Sequence, residues 1–215
     1  FAAEGFRAAS NGRDYVVSWI AGGKVSSSRI DRSGLLLDAE GIKVTSAFSA
    51  MFKPAVASNG TDYFIVWQDI RNDPAGDIYG ARINAAGAVL DPGGIPIIRI
   101  PGSQGMPAVA SDGKDYFLVW MENRTNNLTD VFGARIENSG RVVDTNRFAI
   151  CTVRSSKSSP VVVFNGTSFF VAWEDWRNIG ANPRGPFSNF NIDVYGAWGS
   201  ANNAVSHPAG IPICV

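Results

Sequence analysis

The sequence is poor in the residues that most often carry chemistry. Its 215 residues hold one histidine, His207, and two cysteines, Cys151 and Cys214. With a single histidine and no GxSxG motif, a Ser-His-Asp nucleophile system is left without support. His207 lies in a Ser-His-Pro segment with no second ligand spaced near it, so it reads as a solvated loop residue. Two cysteines make one bridge at most, and the absence of CxxC and CxxCH leaves zinc ribbons and c-type haem attachment without support. No GxGxxG or Walker motif cradles a phosphate. Neither sign of charge is in excess: 19 basic residues balance 19 acidic ones. A nucleic-acid partner, which demands a surplus of Lys and Arg, is thereby disfavoured. No apolar run approaches the roughly 18 residues of a membrane span. Residues 1–7 show no basic stretch leading into an apolar one, so any leader is expected to have been removed already. Charged residues make up only 18% of the chain, and with many Asn, Ser, Thr and Gly this composition predicts a protein outside the cytoplasm, extracellular or at the cell surface, with the periplasm as the alternative.

What the chain has in quantity is repetition. Residues 54–67 read PAVASNGTDYFIVW, 107–120 read PAVASDGKDYFLVW, 160–173 read PVVVFNGTSFFVAW, and 6–19 a weaker copy, FRAASNGRDYVVSW. The anchors Trp19, Trp67, Trp120 and Trp173 are spaced 48, 53 and 53 residues apart. A second block follows each, DIYGARINAAGAVL in its clearest form at 77–90, and a third closes the unit, as GIPIIRI does at 94–100. Each unit thus predicts four short strands. Asn-Gly or Asp-Gly at 11–12, 59–60, 112–113 and 165–166 supplies the turn between the first two. The aromatic and β-branched second strand favours extended backbone, and no stretch carries the period of a long amphipathic helix.

Four strands in about 40–50 residues are the signature of a propeller blade. The fold class expected is therefore all-β: a four-bladed β-propeller with four antiparallel strands per blade. One domain would span 1–215, its blades about 1–48, 49–101, 102–154 and 155–215. A complete ring is the simplest reading, with a piece of a longer propeller, or two chains completing one ring, as alternatives. The blocks PAVASxGxDYFxVWxDxRN and DIYGARI…GxVLDPGGIPI resemble repeats common in secreted bacterial β-propeller proteins, and the resemblance covers nearly the whole chain. The count of four blades also resembles the hemopexin-like fold, although the hemopexin motif is absent. Both resemblances imply a fold; neither implies an activity.

Blade connectivity places the two-to-three loops on one side of the disc, and these vary: AGGK, QDIRNDPAG, MENRTNNLT and EDWRNIGANPRGPFSNFNI. Variable loops on a rigid scaffold are where binding usually resides. The blade-four loop is the leading candidate, with Trp176, Phe187 and Phe190 as stacking surfaces and Arg177, Arg184 and Asn189 as polar contacts. The alternative is that this loop only caps the ring. A motif W-x-[DE]-x-R-N, followed by Asp, recurs as Asp69, Arg71 and Asp77, as Glu122, Arg124 and Asp130, and as Asp175, Arg177 and Asp193. A repeated sugar or ion site and an Arg–carboxylate clasp within each blade are the two readings, and recurrence with the fold period favours the clasp. Four Asn-x-Ser/Thr sequons, at Asn59, Asn123, Asn127 and Asn165, are explained in part by the turns themselves. Cys151 and Cys214 both align with Ile98 and are expected to be two separate buried thiols.

The function expected first is a non-enzymatic, exported binding or assembly module for a glycan or another protein. No cofactor is expected, although a structural ion such as calcium in the axial channel is compatible with this reading. The alternatives are a carbohydrate-active hydrolase using loop carboxylates such as Glu174 and Asp175, and a self-assembling subunit of a surface layer or filament.

Overall fold

A computed structural model describes residues 4–45, 49–124, 128–178, 192–199 and 204–214. The described residues form sixteen strands and no helix. Blade one comprises β1 (Glu4–Ser10), β2 (Asp14–Ala21), β3 (Lys24–Asp31) and β4 (Ile42–Lys43); blade two β5 (Ala50–Ser58), β6 (Tyr63–Asp69), β7 (Asp77–Ile83) and β8 (Ile95–Ile98). Blade three comprises β9 (Gln104–Ser111), β10 (Tyr116–Asn123), β11 (Thr129–Ile136) and β12 (Phe148–Cys151); blade four β13 (Lys157–Phe164), β14 (Phe169–Asp175), β15 (Asp193–Gly199) and β16 (Val205–Cys214). Each sheet runs in sequence order with antiparallel neighbours. The all-β, four-bladed propeller architecture is as expected.

The turns form for the predicted reason. Asn11 Oδ1 accepts from the backbone N–H groups of Arg13 and Asp14, and Asn59, Asp112 and Asn165 repeat the bond pattern. The glycine after each has φ between +86° and +100°, a region open to glycine at little cost.

Three apolar cores lie between blades rather than within them. Val16, Ile20 and Val25 of blade one meet Tyr63, Ile65 and Trp67 of blade two. Phe64, Val66 and Ile78 of blade two meet Tyr116, Leu118 and Trp120 of blade three. Phe117, Val119 and Val131 of blade three meet Phe169, Val171 and Trp173 of blade four. Strand two of the middle blades is therefore buried on both faces, whereas in blades one and four it alternates. The inner strands pack in succession, β1 on β5, β5 on β9 and β9 on β13, and among the described residues no comparable seam joins β13 to β1. The four blades form an arc with two uncovered faces, which corrects the simplest reading of a complete ring.

That opening also corrects the expectation for the cysteines. Both thiols are free, but only Cys151 is buried; Cys214 is exposed. Each faces away from its own blade, Cys151 into the core shared with blade four, and among the described residues no blade packs on Cys214. His207 is exposed as expected, but it belongs to β16 rather than to a loop.

Candidate functional site

The variable face is organised by the recurrent clasp. In blade two the buried Asp69 accepts from the indole Nε1 of Trp67 at 2.8 Å and from the backbone, Nε and NH2 of Arg71 at 2.9, 2.9 and 2.6 Å. The Arg71 guanidinium lies 4.5 Å from the Tyr79 ring centroid and donates to the Gly93 carbonyl at 2.7 Å. Blade four repeats this: Asp175 accepts from Trp173 Nε1 at 3.0 Å, Ser155 Oγ at 2.7 Å and Arg177 NH2 at 2.5 Å. Arg177 stacks 3.7 Å from the Tyr195 centroid and donates to the Ala209 carbonyl. Burial pushes the Asp175 carboxyl up, but the bonds from Arg177, Ser155 and Trp173 outweigh it and hold it down at about 2. The same opposition leaves Asp69 below the ordinary carboxylate range. These are structural clasps: they tie the loop to the strand-two tryptophan, the strand-three aromatic and the strand-four turn.

Blade three departs from the pattern. Glu122 pairs with Arg147 rather than Arg124, and Arg124 pairs with Asp130. Arg147 lies 4.5 Å from the Phe132 centroid, in the role that Arg71 and Arg177 hold elsewhere. Among the described residues the indole N–H of Trp120 has no hydrogen-bond partner.

Of the sequence-predicted site residues, Trp176 and Arg177 fall among the described ones; Arg184, Phe187, Asn189 and Phe190 lie outside them. Trp176 exposes its indole beside the clasp. Arg177 gives NH1 to the Ala209 carbonyl and NH2 to Asp175, and its buried Nε has no partner among the described residues. Asp175 is fully buried inside the clasp, and its carboxyl is held low by Arg177, Ser155 and Trp173. Glu174 differs. It is half-buried, its Oε2 accepts from Ser158 Oγ at 2.5 Å, and no arginine pairs with it among the described residues. Its register positions in the other blades are Ile20, Gln68 and Met121, so this carboxylate stands outside the repeat.

Two further ionisable groups are buried, and only the second escaped the sequence reading. Asp77 is buried, and burial pushes its carboxyl up against the opposing charge of Arg99, 3.9 Å away. Lys157 opens the inner strand of blade four with its ammonium wholly buried, donating to the carbonyls of Val153 and Ser155 at 2.5 and 3.0 Å and lying 3.6 Å from Asp130. Burial pulls its ammonium down. A lysine among small polar residues at a strand start gave no signal, because its cage is made of backbone carbonyls. Among the described residues no three acidic, histidine or cysteine side chains converge as metal donors.

No protein-family model and no curated protein matches this chain. Solved structures do. An endo-arabinase from Bacteroides thetaiotaomicron shares 10% identity over 94% of this chain and 76% of its own, with a TM-score of 0.59. A thermostable family-43 glycoside hydrolase shares 10% over 98% and 71%, with a TM-score of 0.57. An α-L-arabinofuranosidase from Lactobacillus brevis shares 12% over 93% and 68%, with a TM-score of 0.55. The fold is theirs. At such identities the likeness carries the propeller architecture and no site residue. It does correct the expectation that the chain is more a binder than an enzyme: the solved propellers it follows are named as glycoside hydrolases, and they favour the hydrolase alternative.

Proposed function

We propose that this chain acts as a carbohydrate-active hydrolase, exported from the cell, with one propeller domain over residues 1–215 and the variable face toward its polysaccharide. The observation that carries the reading is Glu174, a half-buried carboxylate at the loop end of β14 which no clasp occupies and no other blade repeats. Catalytic carboxylates are single by need, whereas structural ones here recur with the blade. The names of the structural neighbours, arabinanases and an arabinofuranosidase among them, support pentose polymers as the substrate class. Trp176, two residues past Glu174, supplies a stacking surface for a sugar ring, and the loop residues Arg184, Phe187, Asn189 and Phe190 are proposed as further ligand contacts. The low charge of the chain and the likeness of its repeats to secreted propeller proteins support export.

Release of reducing sugar from arabinan and arabinoxylan tests the proposal. A positioned acid or base contributes roughly 10²–10⁴-fold, so Glu174→Gln should lower kcat by about that factor. Trp176→Ala should chiefly raise KM. A folded chain that releases nothing from either polymer, or a Glu174→Gln variant with full activity, would refute it.

A further inference from the structure

Strand three opens on an aspartate in blades two and three, and the two are answered differently. Asp77 and Asp130 both lie at a seam with the next blade, their side chains 3% and 4% exposed. Asp130 pairs with Arg124 and lies 3.6 Å from the Lys157 ammonium, which blade four inserts from the start of its inner strand. That ammonium sits in a cage of oxygens. It donates to the carbonyls of Val153, Ser155 and Thr129 at 2.5, 3.0 and 3.4 Å, and Ser155 Oγ lies 3.3 Å away. Carbonyl, hydroxyl and carboxylate oxygens are also the donors that hard cations take. In chemical terms Lys157 is a single positive charge in an oxygen site, supplied by the chain itself.

The seam between blades two and three repeats the cage with glutamine in place of that lysine. Gly76, Ile100, Gly102 and Gln104 hold the positions of Thr129, Val153, Ser155 and Lys157. The local course is the same. The Gln104 N–H donates to the Gly76 carbonyl at 2.9 Å, and its Nε2 turns back to the Gly102 carbonyl at 2.8 Å, as Lys157 Nζ turns back to that of Ser155. Two acceptors are then left over. Gln104 is wholly buried, and its Oε1 has no partner among the described residues. The Asp77 carboxylate is left with Arg99 Nε at 3.9 Å, beyond hydrogen-bond reach and on a side chain 52% exposed. Its counterparts are served: Asp130 by Arg124, and Asp193 by Asn178 Nδ2 at 2.6 Å. Asn72, the blade-two counterpart of Asn178, donates to the Tyr79 hydroxyl instead. Buried acceptors are costly to leave unanswered, and here two are left at one seam.

We propose that a hard cation binds between blades two and three, at the place the Lys157 ammonium takes between blades three and four, with Gln104 Oε1, the Asp77 carboxylate and the carbonyls of Gly76 and Ile100 as its ligands. Glutamine reaches one atom less far than lysine, so its oxygen stops short of Asp77 and leaves room for an ion in contact with both. The donors are oxygens throughout, which favours sodium, potassium or calcium over metals that seek sulfur or imidazole. They carry a single negative charge, and a low ligand charge makes a weak site, on the order of 10⁻⁴–10⁻³ M for calcium. The charge of the ion opposes the burial that pushes the Asp77 carboxyl up. The ion joins blades two and three as Lys157 joins the next pair, so its effect falls on stability and is separate from the chemistry of the variable face.

Urea unfolding of the full chain tests the site. The protein is stripped with a chelator and dialysed into choline chloride, whose cation is too bulky for the cage. It is then compared in sodium, potassium and calcium chloride at equal ionic strength. The expected result is an unfolding midpoint that rises in at least one of the three and saturates with its concentration, as binding to the native state alone requires. The salt that raises it identifies the ion. Gln104→Lys installs the ammonium that blade four already uses. This variant should be as stable in choline chloride as the parent is with its ion, and it should no longer respond to added salt. Asp77→Asn should lose the response as well, and either variant decides if the other does not fold. A parent with one midpoint in all four salts overturns the proposal. Variants that keep the full response also overturn it, because the ion then binds elsewhere.

Discussion

Blades two and three share a strand-two core, Tyr63–Trp67 and Tyr116–Trp120, and the same arginine two residues past the acid, yet their guanidiniums rest on different carboxylates. One methylene separates the arrangements. Asp69 is short enough to sit beneath the indole two residues earlier and to fill the fork of Arg71. Glu122 carries its carboxylate past that indole and meets Arg147, which enters from the strand-four turn with Nε at 2.7 Å. Arg147 occupies the position of Gly41, Gly94 and Gly210 with φ +46°, where a side chain is uncommon. What both blades keep is a guanidinium over the strand-three aromatic and a carboxylate against it; which residue supplies the cation is free to change. Trp67 and Trp173 give their N–H to the clasp, and Trp120 does not.

The comparison breaks hardest at the carboxylates themselves. Asp175→Ala strands a partly buried Arg177 and removes acceptors from Trp173 and Ser155, a loss of about 3–5 kcal/mol on the scale of broken buried pairs. Asp69→Ala should cost nearly as much. Glu122→Ala should cost about 1–2 kcal/mol, since Trp120 never depended on it and Arg147 can turn to solvent. Urea unfolding of the three variants ranks them, and equal losses would show that the clasps do not differ in weight.

Acid titration sharpens the same contrast more gently. The Asp175 carboxyl is held at about 2 against an ordinary value of 3.8. A depressed folded value means the native state binds fewer protons than the unfolded chain, so the stabilisation is complete above the ordinary value and is lost as pH falls from there through about 2. The amount is roughly 2 kcal/mol. In Asp175→Asn that part of the acid limb should be missing, measured as unfolding free energy between about pH 5 and pH 2. An unchanged acid limb would mean that Asp175 is not held ionised by the clasp.

Much of this was legible in the sequence, and the boundary is physical. Trp67 and Trp120 announced the repeat because blade geometry demands one large anchor at each seam. Asn59 and Asn165 announced their turns because an Asx bond and a left-handed glycine are local requirements. The clasp was legible as a class from its recurrence. The open seam was not: Tyr15 and Val163 are the same kinds of residue as those buried in the seams. Cys214 shows it on one residue, identical in register to Cys151 yet exposed. For the candidate site, sequence paired Asp175 with Glu174 as equals, when one is caged and the other free of any clasp. That difference follows from a period of two: 173 and 175 point into the seam with blade three, while 174 points to the uncovered side.

The smallest test is also the most specific, because it rebuilds one blade in the image of another. Glu122→Asp alone should shorten the carboxylate under the Trp120 indole, gain that hydrogen bond, and lose the pair with Arg147, for a net loss of about 1 kcal/mol. Adding Arg147→Gly removes the orphaned cation and replaces a left-handed arginine by the residue the other three blades use, which returns about as much. Arg124 then stands to the shortened carboxylate two residues before it as Arg71 stands to Asp69. The double variant should lie within about 0.5 kcal/mol of the parent, and a double-mutant cycle on the two positions should show coupling of about 1 kcal/mol. Simple additivity would mean that the two arrangements are not alternative solutions to one constraint, but separate accidents of two loops.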